Sequence, residues 1–150
     1  MNRIKKISAL LIVITMMGTI LAVPAAADAI KIYVNGTQVF PDTDPVIVSD
    51  RTMVPIRVIA EAMGYGVGWN EETETVEIFN DEKTLEVKIG SPTIVKYYLD
   101  GFITVVEPIT SDVAPFIMND RTYLPVRAVS ESLGAAVDWD EITESVFISQ

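Results

Sequence analysis

"RTMVPIRVIAEAMG", Arg51 to Gly64, is echoed seventy positions later by "RTYLPVRAVSESLG", Arg121 to Gly134. The match runs on without a gap, setting "VGWNEETETVEIF" from Val67 against "VDWDEITESVFIS" from Val137. Identical pairs include Arg51/Arg121, Pro55/Pro125, Arg57/Arg127, Glu61/Glu131, Gly64/Gly134 and Trp69/Trp139. Self-similarity at a fixed offset is the sequence mark of one structural unit used twice. The expected organisation is therefore repeat 1 over about 30–80 and repeat 2 over about 84–150.

Each copy of the phrase reads as a short helix. Pro55 and Pro125 suit a first helical turn, where the missing N–H costs nothing. Ile56, Ile59 and Met63 then fall at i, i+3 and i+7, as do Val126, Val129 and Leu133, which places each set on one helical face. Gly64 and Gly134 stand where a left-handed C-terminal cap favours glycine. A helix of roughly nine residues is unstable alone in water and must pack on something.

The flanking sequence supplies sheet. "IKIYV" and "TQVF" surround Asn35–Gly36, and "TIVKYYL" and "FITVVE" surround Asp100–Gly101, both strong hairpin signals. Strand-like runs on either side of "NEETE" and "DEITE" predict a second hairpin after each helix, and "TLEVKIG" predicts a strand joining the units. The fold class expected is α+β: two tandem repeats, each of antiparallel hairpins curved around one short helix. The longer stretch containing Pro108 and Pro115 is where the two units should differ most.

The first 29 residues read as a leader. Arg3, Lys5 and Lys6 precede an uncharged apolar run ending in "PAAADA", the layout of a secretory signal cleaved after Ala27 or Ala29. The alternative is a retained membrane anchor, since the run approaches the length that crosses a bilayer. Cleavage after Ala27 leaves eight basic side chains against 21 acidic ones, a charge of −13, and cleavage after Ala29 also removes Asp28 and leaves −12. That balance opposes nucleic acid and anionic lipid surfaces as partners. Cysteine and histidine are both absent from the sequence. Thiol chemistry is thereby excluded, and the commonest general base and transition-metal ligand are missing.

The remaining candidates for chemistry have structural readings beside functional ones. Arg57 with Glu61, and Arg127 with Glu131, are four apart on their helices. They could grip a ligand, form intrahelical ion pairs worth about 0.2–0.5 kcal/mol, or bind strand carbonyls. Trp69 and Trp139 alternate with Val67 and Val137, so they share a face with those valines and are expected in the core under the helix. The alternative is an exposed platform for stacking on sugars. Asp138, Asp140, Glu141 and Glu144 offer oxygen ligands for a weak calcium site, only half repeated in the first unit.

The combination of an "NG" hairpin, "DRTMVPIRVIAEAMG" and "VGWNEETETVEI" resembles the copper amine oxidase N-terminal-like domain, also called a stalk domain. The resemblance covers nearly the whole chain after the leader. It implies exported proteins of Gram-positive bacteria and antiparallel strands curved around a helix. It does not imply oxidase activity, which needs copper-binding histidines and a much larger catalytic domain. No cofactor, metal or catalytic residue is assigned. The function expected is a non-catalytic structural or binding module, secreted or on the outer face of the cell envelope. Its alternative is binding of cell-wall glycan or another polysaccharide, and a carboxylate-based glycoside hydrolase ranks third. Expected partners are a cell-wall polymer or a second copy of the chain, and no membrane once the leader is cleaved.

Overall fold

The computed structural model describes residues 29–150. Apart from Ala29, the leader reading lies outside the described residues. The described chain is mostly β, with two short helices and an α+β character. In order it forms β1 (Lys31–Val34), β2 (Thr37–Val39), β3 (Val46–Val48), β4 (Arg51–Pro55), α1 (Ile56–Ala62), β5 (Gly66–Asn70) and β6 (Thr75–Phe79). After β7 (Lys83–Lys88) come β8 (Thr93–Asp100), β9 (Ile103–Thr110), β10 (Phe116–Met118), β11 (Arg121–Pro125), α2 (Val126–Ser132), β12 (Ala136–Asp140) and β13 (Ser145–Ser149).

Three sheets result, ordered β12-β13-β1-β2, β10-β11-β4-β3 and β5-β6-β7-β8-β9. The middle sheet joins the halves. In its β4–β11 ladder Val54 lies opposite Leu124, Met53 opposite Pro125, and Pro55 opposite Tyr123. Positions seventy apart thus meet about a local two-fold through the Val54–Leu124 pair. Both residues of that pair are fully buried. Each helix also leans on the other half, α1 against β11 and α2 against β4. One continuous apolar core follows, with Ile56, Ile59, Val126, Val129 and Leu133 in the same cluster as Val54 and Leu124.

The ends of each helix follow from local chemistry. The helices span seven residues, shorter than the nine expected, because Pro55 and Pro125 remain extended (ψ 101 and 109) as the last strand residue. Proline there stops the ladder and admits a helix after it without leaving an N–H unpaired. Gly64 and Gly134 take φ of +85 and +96, as predicted. The N–H of Tyr65 returns to the Ala60 carbonyl and that of Ala135 to Ser130, closing a Schellman cap on each helix.

Several elements differ from expectation. The segments before "DRT" are strands β3 and β10, each hairpinned to the next strand. Ser49–Asp50 and Asn119–Asp120 turn them, all four with φ between 49 and 59, the type I′ geometry that matches strand twist. The hairpin placed at Asp100–Gly101 turns instead at Gly101–Phe102, because Asp100 still pairs with Ile103. Gly101 takes the positive φ and Phe102 is left projecting. Nor are all pairings antiparallel. β1 runs parallel to β13, tying the two ends of the domain together, whereas β7 lies antiparallel beside β6. The hairpin at the start of each half is thus attached differently, which departs from two identical units in tandem. Pro108 sits in edge strand β9, where it removes no donor that an inner strand would need.

Candidate functional site

Arg57 and Arg127 each brace a helix against a sheet edge. Arg127 Nη1 donates to the Val137 carbonyl at 2.6 Å and meets Glu131 Oε1 at 3.3 Å. Arg57 Nη1 donates to the Val67 carbonyl at 3.3 Å and lies 3.8 Å from Glu61 Oε1. Val67 and Val137 belong to β5 and β12, which end their sheets. Each arginine thus makes both an ion pair and a carbonyl bond, at an edge that other chains could otherwise pair with.

Arg51 and Arg121, the first residues of β4 and β11, each pair with an aspartate of the other half. Arg121 Nε donates to Asp42 Oδ2 at 2.6 Å, and Arg51 donates to Asp112. Each arginine also donates to the carbonyl of the preceding aspartate, Asp50 or Asp120, at 3.2 Å. Asp42 and Asp112 are themselves seventy apart, so the two bridges are equivalent. Both acids lie upstream of the match that starts at Arg51 and Arg121. Extending it upstream aligns Asp42/Asp112, Pro45/Pro115 and Ile47/Ile117, a signal that could have found them.

The two tryptophans are not in the core. Trp69 is 44% exposed and Trp139 39%, which corrects the expectation that both lie beneath the helix. Alternation does put each on the face of Val67 or Val137. A helix of only seven residues covers the valine and stops short of the indole next to the turn. Each indole instead forms the wall of a surface groove.

One groove, about 870 Å³, has Trp139, Arg127 and Glu131 on one side and Ile47, Arg51 and Asp112 on the other. The second, about 700 Å³, has Trp69, Arg57 and Glu61 facing Ile117, Arg121 and Asp42. Residue for residue these sets are offset by seventy, and each groove draws residues from both halves: Ile47 and Arg51 of the first join the second half's residues in one, Ile117 and Arg121 of the second join the first half's in the other. Ile47 and Ile117 are exposed at 58% and 49%, so each groove has an uncovered aliphatic side chain as well as an indole.

The other candidates separate. Asp140 Oδ1 accepts the backbone N–H groups of Ile142 and Thr143. These bonds, that from Thr143 foremost, hold its carboxyl below the ordinary aspartate range. Among the described residues no three acidic side chains gather as a metal site, and Asp138, Asp140, Glu141 and Glu144 do not converge. Tyr97 donates to Glu86 Oε2 at 3.0 Å, which raises its phenol above the usual value. Tyr65 and Tyr123 are buried, whereas Phe102 stands fully exposed beyond Leu99 and Ile103 at the β8–β9 tip. No described helix is long and apolar enough to cross a membrane.

The chain is thus a mostly β domain with two arginine-braced helices and paired surface grooves. The copper amine oxidase N-terminal domain family model matches residues 33–148, and the chain belongs to that family. A "Protease inhibitor" of Brevibacillus choshinensis is 32% identical over 88 residues, 57% of this chain but 24% of that protein. The chain thus matches about a quarter of that relative's length. No solved structure matches it.

Proposed function

We propose that the chain is a non-catalytic structural and binding module, exported and acting at the outer face of the cell envelope. The observation that carries this reading is the use made of the repeated charged residues. Arg51, Arg57, Arg121 and Arg127 are each bound to a carboxylate, and Arg57 and Arg127 also to a strand carbonyl. Groups occupied in this way hold elements together and are poorly placed to attack or protonate a substrate. A family defined by an N-terminal domain is compatible with it, as is a relative named for inhibition. The seventy-residue offset across the β4–β11 ladder supports an origin by duplication. The test is incubation of the mature protein with wall polymers and chromogenic glycosides. No turnover is expected; turnover abolished by Glu131→Gln or Glu61→Gln would contradict the reading.

Binding of a cell-wall glycan is the second reading, favoured by the exposure of Trp69 and Trp139 beside polar side chains. Indole faces bury well against sugar C–H surfaces while hydroxyls find polar partners nearby. Retention on peptidoglycan or insoluble polysaccharide, lost on Trp69→Ala plus Trp139→Ala, is its expected result. Self-association is a companion proposal, through edge strand β9 and the apolar tip at Phe102 and Ile103. Sedimentation of the Phe102→Ser variant tests it, and an unchanged oligomeric state would remove it.

A further inference from the structure

We propose that the two grooves are equivalent sites for uncharged glycan strands, each completed across the β4–β11 ladder by residues of both halves. The inference rests on the glycan reading and adds to it a location, a charge class and a valency of two.

Location follows from exposure. A large apolar side chain left open once is unremarkable. Here an indole and an isoleucine are left open together at two positions related by the same offset, Trp139 with Ile47 and Trp69 with Ile117. Burial explains neither pair. Within each groove the indole comes from one half and the isoleucine from the other, so the site exists only when β4 and β11 are paired. Volumes of about 870 and 700 Å³ are within the range that holds a ligand of several rings.

Charge class follows from the state of the cations. Arg51, Lys96 and Arg127 line the first groove and are bridged to Asp112, Glu107 and Glu131. Arg57 and Arg121 line the second and are bridged to Glu61 and Asp42. An anionic polymer would have to break these pairs and approach a strongly acidic protein. A neutral sugar does not. Its hydroxyls can accept from the outward guanidinium N–H groups and donate to the carboxylates without disturbing either. Two such sites on one chain could hold two strands, or one strand twice with a gain in avidity.

The test uses the mature chain, ¹⁵N-labelled, with neutral hexasaccharides of N-acetylglucosamine, glucose, mannose and xylose as probes and polygalacturonate as the anionic control. The sequence has two tryptophans, so each groove has its own indole N–H resonance. One neutral probe should shift both resonances, with a calorimetric stoichiometry of two ligands per chain. Trp139→Ala should leave one site of unchanged affinity. Ile47→Ser should weaken the Trp139 groove by about threefold to tenfold and leave the Trp69 groove alone, the signature of a site shared between halves. A shift at one indole only, or an Ile47→Ser effect at Trp69, overturns the paired-site proposal. Neutral-sugar binding that survives loss of both indoles overturns it together with the glycan reading on the tryptophans, whereas the two preceding outcomes spare that reading. No shift of either indole up to about 10 mM probe overturns both, as does a response to polygalacturonate alone.

Discussion

Replacing Arg127 with alanine isolates what the repeated helix arginine does. Three contributions disappear. The bond to the Val137 carbonyl is short, at 2.6 Å, and made by a charged donor. Such bonds contribute about 1.5–3 kcal/mol when sheltered. Here the guanidinium is half exposed, so water replaces part of the loss and about 1 kcal/mol is a fair expectation. The pair with Glu131, in the weaker orientation with arginine first, adds about 0.3 kcal/mol. Packing of the stem on the helix surface contributes a few tenths more. The sum, about 1.5 kcal/mol, should lower the urea midpoint by about 0.7 M at an ordinary denaturant slope. Glu131→Gln removes only the ion pair and should cost about 0.3 kcal/mol. Arg57→Ala, whose carbonyl contact is 3.3 Å and whose acid lies at 3.8 Å, should cost less than Arg127→Ala, about 0.7 kcal/mol. Equal losses for Arg127→Ala and Glu131→Gln would refute the reasoning, because the carbonyl bond would then contribute nothing.

Three further predictions concern the core and one turn. Ser130 is fully buried and its hydroxyl has no hydrogen-bond partner, while Ala60 fills the corresponding place in α1. Ser130→Ala should therefore stabilise the protein by about 1 kcal/mol in urea or thermal unfolding. Leu124→Ala empties the buried centre of the middle sheet opposite Val54 and should cost about 2–5 kcal/mol, read as a lower midpoint with unchanged slope. Asp140 has a depressed carboxyl pKa, so the stability it adds is complete above the ordinary aspartate value and is lost as pH falls through the lower folded value. Asp140→Asn, which installs the amide that Asn70 already uses to accept the Thr73 N–H, should be slightly less stable than the native protein at pH 7, because the charge-assisted part of these bonds is gone. Below about pH 4 it should show a shallower loss of stability than the native protein.

Local chemistry was the legible part of this fold. Ile56, Ile59 and Met63 announced a buried helical face because burial repeats at the helical period, and all three are buried. Gly64 and Asn35–Gly36 announced turns because their backbone angles demand those residues. Pairings between distant segments left no such trace. The parallel β1–β13 contact joins Lys31 to Ser145, and nothing in either strand names the other. Trp69 and Trp139 were misplaced for a related reason: alternation fixes a face, but how far a helix extends over that face is a tertiary fact. The grooves were hidden because each draws its walls from both halves. Their one local clue was the continuation of the match upstream to Asp42 and Asp112.

Interlocked halves imply a single unfolding event, and the two indoles can report on it separately. In Trp139→Phe the remaining fluorescence belongs to Trp69 in the first half; in Trp69→Phe it belongs to Trp139 in the second. Urea unfolding of each variant, followed by fluorescence and by far-ultraviolet circular dichroism, should give coincident transitions within that variant. An indole that releases at a clearly lower urea concentration than the bulk β signal would mean that the halves stand apart, and that no groove is built from both.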